Sequence, residues 1–177
     1  MLQTQRLILR RWKSSDYKPF AQINADAEVM KYFPAVLSKQ ESNQLIERIE
    51  NHHQMHQFGL WAVEEKTTSA FIGFVGLNVP SFSAHFTPTV EIGWRLARPF
   101  WGQGYATEGA KAAINYGFEV VKLPSIVSFT SQLNLRSIAV MQRLGMTYNP
   151  AWDFDHPRLP SGHPLQRHVL YRVTRYS

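Results

Sequence analysis

The 177-residue chain contains no cysteine, which excludes disulfides, thiolate zinc clusters, iron–sulfur centres and a thiol nucleophile. It also lacks a continuous apolar stretch of the length that a bilayer crossing requires. Its opening residues, Met1-Leu2-Gln3-Thr4-Gln5-Arg6-Leu7, carry no apolar run of the kind found in secretion signals, so the expectation is a soluble, unexported, cytoplasmic protein. No long basic block occurs, although 19 Lys and Arg against 13 Asp and Glu give a formal net charge of +6. The arginines are spread from Arg6 to Arg175, so the excess favours anionic ligands without pointing to dedicated nucleic-acid binding. Gly-Lys-Ser and Gly-Lys-Thr are both absent, which removes the usual phosphate loop of nucleotide hydrolases. Low-complexity tracts, repeats and long linkers are lacking too, and a single domain over residues 1–177 is expected.

What is present belongs to a packed globular protein: 44% hydrophobic and 13% aromatic residues, in a chain long enough to bury about 70% of its unfolded surface. Residues 4–12 alternate apolar and polar types through Leu7-Ile8-Leu9-Arg10-Arg11-Trp12 and predict a first strand. Ser14, Ser15 and Asp16 offer an N-cap for a helix ending near Asn24. Ser38 followed by Glu41 is a capping-box signature, with Leu45, Ile46 and Ile49 as the apolar stripe of a helix to about His53.

Three strand-like runs follow at 60–63, 71–77 and 90–96, separated by turn-rich segments that suggest an antiparallel meander. From Gly104 the period becomes helical, with Ala106, Ala110, Ala113, Ile114, Gly117 and Phe118 on one face. Ser125 to Thr130 reads as a strand, Asn134 to Leu144 as a helix closed by Gly145, and Val169 to Val173 as a final strand. A helix between strands 90–96 and 125–130 is a crossover, which makes those two strands parallel.

Trp101-Gly102-Gln103-Gly104-Tyr105-Ala106-Thr107 lies between a strand and a helix. Glycines at 102 and 104 permit a tight turn with successive N–H groups exposed at a helix N-terminus, a cradle suited to a pyrophosphate. It is not a dinucleotide-binding fingerprint, since no third glycine follows at the required spacing.

Val90 to Phe118 resembles the acetyl-CoA motif of the GNAT acetyltransferases, and Asn134-Leu135-Arg136-Ser137 through Leu144-Gly145-Met146 resembles their second motif. The opening Thr4 to Arg10 and the run Asp26 to Tyr32 resemble the branch containing the ribosomal-protein alanine and serine N-acetyltransferases. The resemblance implies an α+β (α/β) fold: a mixed, mostly antiparallel, twisted sheet flanked by helices, with a splayed parallel strand pair. It implies acetyl-CoA as cosubstrate, a protein N-terminal amine or a small amine as acceptor, and a monomer or homodimer without metal or membrane. The family usually opens its phosphate loop with Gln or Arg, and Trp101 stands there instead.

On this resemblance the cofactor lies against Trp94, Arg95 and Leu96, against the loop residues Gly102, Gln103, Gly104, Tyr105, Ala106 and Thr107, and against Asn134 and Arg143. Glu91 matches a strand carboxylate that removes the ammonium proton. Met141 stands where many relatives have a Tyr acid, so Ser137 is the candidate donor to the departing thiolate. A non-catalytic acyl-CoA sensor is the alternative. Asn134 reads equally as a helix N-cap. His52, His53 and His56 do not complete a metal site. Tyr32, Phe33, Trp61 and Trp152 read as core, and the tail carrying His156, His163 and His168 as an ordered loop.

Overall fold

The computed structural model describes residues 1–175. The chain forms β1 (Leu2–Gln3), β2 (Leu7–Arg10), α1 (Tyr17–Ala25), α2 (Lys39–His56), β3 (Leu60–Glu65), β4 (Phe71–Asn78), β5 (Glu91–Leu96), α3 (Tyr105–Glu119), β6 (Ser125–Ser131), α4 (Leu135–Arg143), β7 (Thr147–Tyr148), β8 (Phe154–Asp155) and β9 (Arg167–Thr174). One sheet runs in the order β1-β2-β3-β4-β5-β6-β9-β7, with β8 also paired to β9. Neighbours are antiparallel except β5 and β6, which are parallel. The expected mixed sheet with its parallel pair is therefore the observed one.

Local chemistry sets the helix ends. Ser38 caps α2: its backbone N–H donates to Glu41 Oε2 at 2.7 Å, while Glu41 N–H donates to Ser38 Oγ at 3.2 Å. Asp16 does not cap α1 through its side chain. Its carboxylate is instead gripped by both Arg10 terminal nitrogens at 2.7 and 2.9 Å and by Lys13 N–H at 2.8 Å, which ties β2 to the start of α1. Such a fork geometry is the strong form of this contact.

Each strand of the central sheet presents one face to α3. Trp61, Val63, Val75, Leu77, Ile92 and Leu96 pack there with Ala110, Ala113 and Ile114, each large side chain contributing about 1.5–3 kcal/mol through burial. The small residues of α3 permit the approach: a Cβ at Gly117 would sit 2.8 Å from Ile126 Cδ1. The opposite face is covered by Phe20 and Ile46 of α1 and α2 over Phe74. Farther along that face, Phe86, Val127, Phe154 and Leu170 form an aromatic-rich cluster. Among the described residues no helix is long and apolar enough to cross a membrane.

Candidate active site

The parallel pair defines a cleft. Strands β5 and β6 share the register pair Glu91↔Val127, with Val127 N–H donating to the Val90 carbonyl at 2.9 Å. Beyond it β5 stays with β4 as far as Leu96↔Gly73, and β6 stays with β9 as far as Ser131↔His168, so the two strands part. Ala97 N–H donates to the Ile72 carbonyl, which fixes the phase of the β4–β5 ladder. Odd-numbered residues of β5 bond to β4, whereas the main chain of Ile92, Trp94 and Leu96 faces the opening. Trp101 Nε1 donates to the Leu96 carbonyl at 2.8 Å, which leaves the amide groups of Trp94 as the open rung.

At the far end of the cleft lies the glycine loop. Gly102 and Gly104 have φ of 74° and 80°, the left-handed region that favours glycine. A Cβ at Gly102 would meet nothing within 4 Å, so the loop borders open space. Helix α3 begins with Glu108 N–H bonded to the Gly104 carbonyl, which leaves the N–H groups of Tyr105, Ala106 and Thr107 without a helical acceptor. Gln103 folds its exposed side chain back on the preceding turn, donating to the Pro99 carbonyl at 2.9 Å. These features suit a pyrophosphate held by backbone donors.

Two contacts around the loop escaped sequence reading. Arg6 donates through Nη1 to the Gln103 carbonyl at 3.0 Å and through Nε to Glu108 Oε2 at 2.7 Å, and Thr4 Oγ1 donates to Glu108 Oε1. Burial would raise the Glu108 carboxyl, but the bonds from Thr4 and Arg6 hold it below the usual range. The charge of the acidic residue in the first turn of α3 is thus offset by Arg6. Arg136 of α4 stacks over the Trp101 ring with its guanidinium carbon 4.5 Å from the centroid. It brings a cation to the loop whose opening position lacks Gln or Arg. The substitution at Trp101 was the one available signal.

Asn134 and Ser137 meet at the start of α4. Asn134 Oδ1 accepts Ser137 N–H at 3.3 Å, so the residue is the helix N-cap. Its Nδ2 donates to Thr130 Oγ1 and to Ser137 Oγ, both at 3.0 Å. Because Ser137 Oγ accepts from the amide, its own hydrogen is free to be donated elsewhere. Arg143 lies in the last turn of the same helix and is exposed. Met141 is fully buried in the core.

Glu91, Gly93 and Arg95 point to the face of β5 opposite α3, alternating with the core residues Ile92 and Leu96. Part of Glu91 reaches the surface, yet burial of its carboxyl lifts the group to about 8, against the downward pull of Asn78. Asn78 is its register partner on β4. Arg95 does not face the cleft opening with Trp94: its main chain bonds to β4 and its guanidinium reaches Asn24 Oδ1 of α1 at 2.7 Å.

His52 and His53 are engaged by the main chain. Val79 N–H donates to His52 Nε2 at 3.0 Å while His52 Nδ1 lies 3.1 Å from the Phe58 carbonyl, so both nitrogens are engaged and Nδ1 carries the proton. His53 Nε2 contacts the Leu60 carbonyl. Among the described residues no cluster of three His, Cys, Asp or Glu could hold a metal. His156 and His168 join the aromatic cluster around Phe129 and Phe154. Burial and the neighbouring His168 push His156 down to about 4. Trp61 is core, Tyr32 and Trp152 are half-buried, and Phe33 is exposed.

Residues 6–147 match the acetyltransferase (GNAT) domain. An uncharacterised Bacillus subtilis protein, YkkB, is 31% identical over 149 residues, covering 84% of this chain and 86% of that protein. A GNAT-family acetyltransferase from Bacillus anthracis superposes with a TM-score of 0.80 at 25% identity, over 98% of this chain and 97% of that one. RimL, a ribosomal L7/L12 alpha-N-protein acetyltransferase solved with coenzyme A, shares the fold at a TM-score of 0.76 and 17% identity, over 97% and 95% of the two chains. With the cleft, the glycine loop and this family match together, the chain belongs to the GNAT acetyltransferases and is an acyltransferase.

Proposed function

We propose that this is a cytoplasmic N-acetyltransferase that takes its acetyl group from acetyl-CoA and passes it directly to a primary amine. The observation that carries the reading is the splayed pair β5 and β6, which opens at Glu91 and runs to a left-handed glycine loop. The open main chain of Trp94 suits the amide-bearing arm of the cofactor, and the loop and the first turn of α3 suit its pyrophosphate. Arg136 and the neutralised Glu108 favour the same anion.

Bound acetyl-CoA supplies a thioester carbonyl. Glu91 accepts a proton from the acceptor ammonium, directly or through one water, and leaves the nitrogen lone pair free to attack. A carboxyl held near 8 is matched to that task close to neutral pH. An N–H on the open edge of β5 donates to the oxygen as negative charge builds on it. Ser137, oriented as a donor by Asn134, gives its hydrogen to the departing sulfur and recovers a proton from solvent, to which the nitrogen, cationic after its attack, releases its second proton.

Calorimetric titration of acetyl-CoA, together with a thiol-release assay over small amines and N-terminal peptides, tests the reading. Binding with acceptor-dependent thiol release is the expected result. The buried Met141 in place of a Tyr favours a second reading, a sensor that binds acyl-CoA without turnover. Binding with no release for any acceptor would select it, and absence of binding would remove both.

A further inference from the structure

The acceptor face of β5 holds a buried cation with no anion to match it. Arg95 is 9% exposed, and among the described residues its guanidinium makes one hydrogen bond, from Nη1 to the neutral amide oxygen of Asn24. Its Nε is buried without a partner. No carboxylate of the described residues forms an ion pair with it: the nearby Asp26, just past α1, is paired with Arg98 at 3.5 Å. Asn24 offers Arg95 only that neutral amide oxygen, since its Nδ2 is itself a donor, given to Ser42 Oγ at 2.8 Å. A buried charge left in this state is costly unless something else completes it.

The side chain is nevertheless held firmly. The guanidinium carbon lies 4.1 Å from the Phe33 ring centroid and 5.4 Å from that of Phe74, so the flat cation is fixed by aromatic contacts. Asn24 occupies Nη1, leaving the edge formed by Nε and Nη2. The two N–H groups of that edge are parallel, the geometry a carboxylate fits with both oxygens once the cover over the buried Nε is displaced. Burial depresses the guanidinium to about 10, which accords with a cation awaiting a counter-charge.

Placement ties this edge to the proposed reaction. Arg95 and Glu91 share one face of β5, roughly 13 Å apart by strand rise, with Gly93 between them. A Cβ at Gly93 would find only Glu91 Oε1, at 3.9 Å, so the floor between base and cation is open. Phe33, 37% exposed, belongs to the segment between α1 and α2 that borders the same space.

We propose that Arg95 recognises a carboxylate on the acceptor, so that the substrate is a small primary amine carrying a carboxylate several bonds from the nitrogen. The inference rests on the acetyltransferase reading. In it Glu91 receives the ammonium end and Arg95 the carboxylate end, and Arg95 serves recognition without touching the transferred group.

The test is steady-state kinetics on matched acceptors: amino acids from glycine to 6-aminohexanoate against alkylamines of the same chain length, with α-amino acids and alanine-initiated peptides alongside. For the wild type, the best carboxylate-bearing amine is expected to exceed its uncharged counterpart in kcat/KM by about 10- to 100-fold, the range of a charged bidentate contact. Arg95→Gln is expected to erase that advantage through KM, leaving the uncharged amines and acetyl-CoA affinity unchanged. Arg95→Lys retains charge without the fork and is expected to recover only part of it.

Calorimetry with acetyl-CoA verifies that each variant is folded. Equal kcat/KM for both members of every pair, better use of alanine-initiated peptides with amidated C-termini, or an equal loss for both members in Arg95→Gln would overturn the proposal while leaving the acetyltransferase reading intact. Failure of every carboxylate-bearing amine to bind or react would overturn it as well. Failure of the wild type to bind acetyl-CoA would overturn both.

Discussion

The two faces of β5 differ in kind. Toward α3, Ile92 and Leu96 are buried among aliphatic and aromatic neighbours, and among the described residues no buried polar atom of β5 there lacks a partner. Toward α1, Glu91 is held up at about 8 and Arg95 has a buried nitrogen without an acceptor. A strand that is finished on one side and unfinished on the other is a platform: the first face fixes position and the second meets something from outside. The open edge between these faces uses main-chain groups alone, so it places few demands on residue identity. The face carrying Glu91 and Arg95 uses side chains, so in the proposed reading it decides which acceptor fits.

The largest effect is expected from breaking the unfinished face at its base. Glu91→Gln should lower kcat/KM by about 10³-fold with acetyl-CoA affinity unchanged, measured by thiol release and calorimetry. For the wild type, activity should rise with pH and level off above about 8, since the base works only when deprotonated. The Gln variant should lose that ascending limb. The same shift has a sign for stability. Folding favours the neutral carboxyl, so Glu91 costs the fold stability as pH rises from the ordinary glutamate range toward 8, and the penalty persists above it. The Gln variant should therefore melt higher than the wild type at pH 9, and the difference should shrink toward pH 4.

A break in the finished face should act differently. Met141→Ala removes a fully buried side chain and should cost about 3 kcal/mol of unfolding free energy in urea. Activity per folded molecule should survive better than in Glu91→Gln, because Met141 has no polar group to offer the reaction. A loss of kcat as great as that of Glu91→Gln, with the fold intact, would erase the distinction between the faces.

The smallest of these effects belongs to Ser137→Ala, expected to lower kcat about 10-fold, since a thiolate departs with modest help. The loss should shrink with an acetyl donor whose thiol is more acidic. Unchanged kcat on both donors would remove Ser137 from the chemistry and leave it to its bonds with Asn134.

Long elements were legible because their residues repeat a period: β4, β5, β6, α2 and α3 all lie where alternation or helical spacing places them. The paired strands β1, β7 and β8 have two residues each, too few for any period to register. Helix α1 starts at Tyr17, directly after the Ser14-Ser15-Asp16 signal, but Asp16 at the N-cap position gives its carboxylate to Arg10 and Lys13 in place of the helix, a preference only tertiary contact reveals. Helix α2 runs past His53 to His56 and ends at Gln57 in the left-handed conformation, without the glycine that would have marked it.

Within the site, the glycine loop and the Asn134 cap were readable from local spacing. Arg136 on Trp101 and Arg6 on Glu108 were not, because each joins segments remote in sequence. For Arg95 the neighbours in sequence suggested the cofactor, whereas the parity of the strand turns its side chain the other way.

The position of β9 also bears on how the enzyme is made. Each strand from β2 to β5 pairs with the one before it, so that half of the sheet can zip up as it leaves the ribosome. Strand β6 shares a single register pair with β5 and takes the rest of its support from β9, which is translated only after α4, β7 and β8. A growing chain thus completes Glu91, the glycine loop and one wall of the cleft while the other wall still hangs loose. Ribosome-bound chains stalled before Arg167 should fail to retain acetyl-CoA, and those extended beyond Thr174 should hold it.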